Sequence, residues 1–266
     1  MPEARTGAAG RERLVGQHVV REALRARRRV LVRLMLDAGR RERAEIESLS
    51  GLASRAGLET VWLAHERFAA LAGSEERSQG ALLEAGPLPE LALAELVGGE
   101  RGTRLLVALD GVEDPQNVGA VARAAEAAGA GGLIVTRHRA PPLSPAVARA
   151  SAGALEHLPV ARVTNLPQAL GTLAKEGFWS LGADPGASID LFEATDRLLT
   201  GDLVVVLGAE GRGLRRGVRS ALDHEVRIPM AGSVASLNVA GAAAVVLFEL
   251  LRRRRAAPGT RLPRGE

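Results

Sequence analysis

Leu105-Leu-Val-Ala-Leu109 runs directly into Asp110-Gly-Val-Glu-Asp-Pro-Gln-Asn-Val-Gly-Ala-Val-Ala-Arg123. An unbroken apolar run, a polar turn containing Gly111 and Pro115, and an Ala/Val-rich segment predict a strand, a loop and a helix. Asn117 is expected to cap a helix beginning at Val118, with its free amides facing the carboxyl end of the strand. Helical side chains lean toward the amino end, so Arg123 is expected over Gly119, beside the positive pole of the helix. That placement suits a bound phosphate; a plain surface arginine is the alternative.

The same pattern continues outward. Leu133 to Val135, Phe178 to Leu181 and Leu203 to Leu207 are further short apolar runs separated by helical segments. Strands apolar on both faces between helices predict a parallel sheet covered on both sides. Upstream, Val19 to Ala26 and Arg43 to Ala56 have helical spacing, while Val30 to Leu36 and Glu59 to Leu63 are strand-like, a second and smaller α/β unit. Breakers and charge at 86–104 separate the two. The expected division is a smaller domain over 11–86, a linker over 87–103, a larger domain over 104–255 and a flexible basic tail over 256–266.

Composition sets the class. Apolar residues make up 46% of the 266 and charged residues 25%, as in a globular protein. The absence of cysteine excludes disulfides, thiolate zinc sites and cysteine nucleophiles. Met1 to Arg13 is polar and arginine-rich, without the apolar core of a secretory signal, so a cytoplasmic location is expected. Val239 to Leu251 is apolar but too short for the ~20 residues a bilayer crossing needs, so no membrane partner is expected. A helix of that character is expected to be buried in a core or against a second subunit. Of the 35 basic residues only Lys175 is lysine, and residues 1–43 hold twelve arginines against five acids. Arginine's planar fork matches phosphate, so an acidic polymer is a candidate partner; GC-rich codon usage gives the same bias.

Common nucleotide and hydrolase signatures, G-x-x-x-x-G-K-[ST], G-x-G-x-x-G after a strand and G-x-S-x-G, are missing. The five histidines are scattered without ligand spacing, so no metal is expected. Two further segments stand out beside 110–123. Leu207-Gly-Ala-Glu-Gly-Arg-Gly-Leu214 permits close backbone approach to a ligand or a tight turn. Val226-Arg-Ile-Pro-Met-Ala-Gly-Ser-Val-Ala-Ser-Leu-Asn-Val239 places Ser236 and Asn238 at the mouth of the apolar helix, where capping explains one of them.

Together, D-P-x-N-x-G-A-x-x-R at 114–123, G-A-E-G-x-G at 208–213 and I-P-M-x-G-x-V-x-S-L-N-V at 228–239 resemble the motif set of the SpoU (TrmH-like) branch of the SPOUT RNA methyltransferases. Gly16-Gln-His-Val-Val-Arg-Glu-Ala-Leu24 is similar to the opening of that family's amino-terminal domain, and Ala150-Ser-Ala-Gly-Ala-Leu-Glu-His-Leu-Pro159 to its 23S rRNA guanosine 2′-O-methyltransferase subgroup. The resemblance covers about residues 11–252. Ser78 before Gln79-Gly80, where relatives often carry His, and Ala240, where Ser is common, depart from the pattern.

The resemblance implies a parallel-sheet trefoil-knot domain preceded by a small L30e-like α/β substrate-binding domain, and a homodimer packed through the knot region. It implies S-adenosyl-L-methionine as methyl donor and RNA as substrate, 23S rRNA or a ribosomal assembly intermediate. Carried over residue by residue, Gly208, Ile228 and Leu237 would contact the adenosine through backbone groups, and Glu210, Met230, Ser236 and Asn238 would line the site. Arg123 would act at the 2′-hydroxyl; a guanidinium is a poor base, so holding the target phosphate and polarising the hydroxyl is the favoured role. Asn117 would orient the ribose or Arg123, and Glu210 would pair with Arg123 or shape the cofactor loop. The alternatives are tRNA ribose methylation, thiostrepton-resistance-type rRNA methylation, and a non-catalytic RNA-binding assembly factor.

Overall fold

The computed structural model describes residues 10–73, 78–98 and 104–256. The chain divides into two units, and the division is not sequential: residues 1–89 form the first together with 142–157, and the rest forms the second.

In the first unit, β1 (Glu12–Val15), β2 (Leu31–Asp37), β3 (Thr60–Leu63) and β4 (Ala81–Ala85) make a sheet in the order β1-β4-β2-β3. Only β2 and β3 are parallel. Helix α1 (Gln17–Ala26) buries Val19, Val20, Ala23 and Leu24 and ends at Arg27, which takes a left-handed conformation at φ 50°. α2 (Ala44–Arg55) presents Ile46, Leu49 and Ala53 to the same core. The other sheet face, with Met35, Leu63 and Leu82, is covered by Phe68 of α3 (His65–Ala72). The segment 142–157 adds two short helices, Pro145–Ala150 and Ala154–His157. Ala148 enters the main core of this unit, and the buried Glu156 carboxylate takes Arg29 Nε at 2.8 and 3.0 Å. Burial pushes the Glu156 carboxyl up from its ordinary value, against the opposing pull of Arg29. Arg29, itself buried, donates also to Glu12 at 2.7 Å and to the Gly86 carbonyl at 3.0 Å.

The second unit holds eight strands, all joined in parallel pairs: β5 (Glu90–Leu91), β6 (Leu105–Asp110), β7 (Gly132–Thr136), β8 (Val160–Val163), β9 (Trp179–Ala183), β10 (Ile189–Asp190), β11 (Leu203–Gly208) and β12 (His224–Arg227). Their order is β10-β12-β9-β11-β6-β7-β8-β5. The four runs expected as parallel strands are β6, β7, β9 and β11, at the middle of this sheet. Residues 90–97, expected as linker, supply the edge strand β5 and a 3-10 turn, Leu93–Val97, whose Leu96 is buried in the sheet's core. Residues 99–103 of the expected linker and 257–266 of the expected tail lie outside the described residues.

Helix α4 (Pro115–Ala127) follows β6, α5 (Leu166–Lys175) follows β8, the short α6 (Arg216–Arg219) follows β11, and α7 (Val239–Ala256) ends the described chain. α4 packs against α7. α7 is buried along Val239, Ala243, Val246, Leu247 and Leu250 but leaves Phe248 48% exposed. No helix among the described residues is long and apolar enough to cross a membrane.

Candidate cofactor and methyl-transfer site

Three neighbouring strands, β12, β9 and β11, end side by side, and the loops leaving them enclose a cavity of about 300 Å³. Ligands of parallel α/β sheets bind at this edge, because the strands stop there while the loops continue outward. One wall is Leu207 to Gly213, a second is Ile228 and Met230 after β12 with Ala235 to Leu237 before α7, and a third is Asp184-Pro185-Gly186 after β9.

The glycine loop has its shape for a local reason. Gly213 N donates to the Ala209 carbonyl at 2.8 Å, folding the loop onto its own base, and Gly211 and Gly213 stand at φ 76° and 62°, where a Cβ would be strained. Gly208 is needed for space: a Cβ there would lie 2.3 Å from the Gly213 carbonyl carbon. The walls combine apolar groups, Leu207, Val226, Ile228, Leu237 and Val239, with two carboxylates, Asp184 and Glu210, and the Arg212 guanidinium. Met230 and Leu237 are 38% and 39% exposed at the mouth. An apolar slot with a few charged groups at its rim is the make-up of a small-molecule pocket, and the volume stands at the lower end of the usual range. The donor expected from the sequence carries a flat purine, two cationic centres and a carboxylate, which these groups match in kind.

The structure gathers Gly208, Glu210, Ile228, Met230, Ser236 and Leu237 on this cavity. Asn238 is adjacent but otherwise engaged: its Oδ1 accepts from Gly241 N at 2.7 Å, making it the N-cap of α7. Asn117 and Arg123 are not among the lining residues. Asn117 does not cap its helix either. Asp114 does, accepting from Gln116 N at 3.0 Å, and the helix begins three residues earlier than expected, at Pro115. Proline is favoured at the first helical position, where its missing N–H costs nothing, so Asp114-Pro115 outcompetes Asn117. Arg123 is exposed on α4 and has no ion-pair partner among the described residues.

Sequence reasoning missed the third wall. Asp184-Pro185-Gly186 follows an apolar strand run, as the glycine loop does, and that position was the available signal. Asp184 Oδ1 accepts from Gly186 N at 2.8 Å, and the carboxylate pairs with Arg219.

Comparison with known proteins agrees with this architecture. Residues 104–248 match the model of the SpoU rRNA Methylase family, and residues 13–91 match the model named RNA 2′-O ribose methyltransferase substrate binding. The 23S rRNA (guanosine-2′-O-)-methyltransferase RlmB of Ralstonia nicotianae is 40% identical over 92% of this chain and 97% of its own. The protein of the same name from Pseudomonas syringae is 40% identical over the same shares. Among solved structures, the SpoU methyltransferase AviRb from Streptomyces viridochromogenes, in complex with AdoMet, superposes with a TM-score of 0.75 at 27% identity, over 93% of this chain and 91% of that one. With two of its three motif segments on one cavity, one family model matching residues 104–248 and relatives 40% identical along nearly the whole chain, the chain belongs to the SpoU rRNA methylase family.

Proposed function

We propose that this chain transfers a methyl group from S-adenosylmethionine to the ribose 2′-hydroxyl of a guanosine in 23S rRNA. The observation that carries the reading is the closure of the 207–213 and 226–239 segments on one cavity at the carboxyl edge of a parallel sheet. Relatives named for this activity, aligned along nearly the whole chain, support the choice of RNA.

S-adenosylmethionine supplies a methyl group already activated by its sulfonium. The protein has then to bind, align and manage one proton, mainly a problem of placement. Ile228, Leu237 and Val226 would exclude water and offer apolar contact to the faces of the purine, while backbone groups of Gly208, Ile228 and Leu237 would meet the adenosine. Glu210 and Asp184 complement the cationic side of the donor, and Ser236 lines its path. A guanidinium is a poor base, so Arg123 holds the target phosphate and polarises the hydroxyl. Asn117 orients the ribose, and Glu210 is available to pair with Arg123. Asn238 contributes by fixing the first turn of α7 beside Leu237.

Arg123 and Asn117 lie off the cavity of one chain, and the reading has a second copy complete the site, with the homodimer packed through a knotted carboxyl-terminal region. The exposed Val234, Leu237 and Phe248 support that surface. The first unit binds the RNA, in the cytoplasm. Mass-spectrometric mapping of ribose methylation in 23S rRNA and tRNA, from cells with and without the gene, tests the proposal. Loss of one 2′-O-methylguanosine from 23S rRNA is expected; an unchanged 23S pattern refutes it, and a loss confined to tRNA moves the substrate.

A further inference from the structure

The loop Gly208–Leu214 walls the cavity, yet glycine at 208, 211 and 213 leaves it much conformational freedom to lose. Its shape depends on what holds its far end. Arg215 follows directly, and its backbone N and its Nε donate to the Asp110 carboxylate at 2.8 and 2.6 Å. Asp110 is the last residue of β6, stands opposite Gly208 in the ladder, and its side chain is fully buried. One helical turn later Arg219 pairs with Asp184, at the end of β9, and its Nε lies 2.8 Å from Glu225 of β12. The two arginines therefore grip the strands on either side of β11: β6 on one side, β9 and β12 on the other. Both guanidiniums are nearly half exposed while Asp110 is fully buried and Asp184 is half-buried, so removing an arginine strips a carboxylate of its charged partner and leaves it only backbone donors, the N of residue 215 for Asp110 and that of Gly186 for Asp184.

We infer that Arg215 and Arg219 are the two arms of a clamp that sets the glycine loop in its donor-binding shape, with Asp110 as the fixed anchor. The inference rests on the proposed methyl-donor site and adds three positioning residues to it. Arg219 has a second effect, because Asp184 itself lines the cavity. Arg219 pairs with that carboxylate and so also fixes how Asp184 stands in the cavity wall. A clamp of this kind acts through pre-organisation: an unclamped loop must be ordered at the moment of binding, and affinity falls by that cost.

The test uses the full chain, with S-adenosylhomocysteine as calorimetric probe, a 23S rRNA fragment for RNA affinity, and steady-state methylation. Arg215→Ala and Arg219→Ala are each expected to raise the Kd for the probe about tenfold and the KM for the donor in parallel. At saturating donor, kcat should stay within about threefold, and RNA affinity within about twofold. Arg215→Lys and Arg219→Lys, which keep the charge, should recover most of the loss. Folded alanine variants with wild-type Kd overturn the clamp, as does a parallel loss of RNA affinity, which marks general destabilisation. Should Arg215→Ala fail to fold, Arg219→Ala and the two lysine variants decide by the same criteria. A wild-type protein that ignores S-adenosylhomocysteine would instead remove the donor-site reading itself, and the clamp with it.

Discussion

Gly208→Ala isolates the geometry of the donor loop in a single methyl group. Gly208 has no left-handed backbone to protect, so alanine is tolerated by its φ, and the effect of the substitution is steric. The added Cβ would lie 2.3 Å from the Gly213 carbonyl carbon and 2.5 Å from both its oxygen and the Leu214 nitrogen. All three are backbone atoms and cannot rotate away. Ordinary contact begins near 3.4 Å, so something must retreat by about 1 Å. β11 is hydrogen-bonded to β6 on one side and β9 on the other, which leaves the 209–213 loop as the part that yields. Overpacking of this kind costs about 1–3 kcal/mol. The free protein relieves it by opening the loop, and binding has to restore it. About 2 kcal/mol corresponds to donor affinity weakened about thirtyfold. Calorimetric titration with S-adenosylhomocysteine, paired with thermal unfolding, measures both halves. Gly217→Ala, where a Cβ meets nothing within 4 Å, is the control and should bind as wild type. A folded Gly208→Ala protein whose Kd stays within about threefold of wild type would refute the claim that this loop shapes the site.

Three further outcomes are expected. Arg123→Ala should lower single-turnover methylation by about 10² to 10³ while donor affinity is kept, as for loss of a positioned charge, and Arg123→Lys should be nearly as slow; turnover within threefold of wild type would return Arg123 to the ordinary surface. Asn238→Ala should lose about 1 kcal/mol in thermal unfolding through its missing cap, and Asn238→Asp should retain that stability; equal melting of all three proteins would contradict the capping assignment. Hydrogen bonds from Arg252 and Arg253 hold the Glu249 carboxyl down at about 2 from an ordinary 4.5. Because the folded value is the lower one, its stabilisation is complete above about 4.5 and is lost as the pH falls through about 2. The stability advantage of wild type over Glu249→Gln in denaturant melts should shrink across that window, and a constant difference would show that the charge is not responsible.

The central strands were legible because β6, β7, β9 and β11 are buried on both faces and so appear as unbroken apolar runs. β4 was not, although all five of its residues are buried. Ala81-Leu-Leu-Glu-Ala85 carries an acid at its fourth position, and only the structure shows Arg33 Nε reaching Glu84 at 2.8 Å to hold its carboxyl below the ordinary value. β8 is interrupted in the same way by Arg162, whose partner Glu90 lies 72 residues earlier. Two of the three candidate segments could be placed on the cavity because glycine spacing and the turn into an apolar helix are local signals. The capping expected of Asn117 was misjudged through a competition between neighbours, Asp114 and Pro115 being better suited to start a helix. The attachment of 142–157 to the first unit had no local signal, since it depends on partners more than a hundred residues away.

That attachment separates the order of synthesis from the order of folding. A growing chain releases residues 1–89 first, with Arg29 destined for a fully buried position, but the Glu156 carboxylate that meets it is made 127 residues later. Until then the nascent unit holds a guanidinium with Glu12 and the Gly86 carbonyl as its only described partners, and a core without Ala148. β5, β6 and β7 of the catalytic sheet leave the ribosome before the first unit can close. A chain cut at Pro89 would accordingly sever a folding unit, and transplanting the first unit into another protein would require two segments that must find each other across foreign sequence.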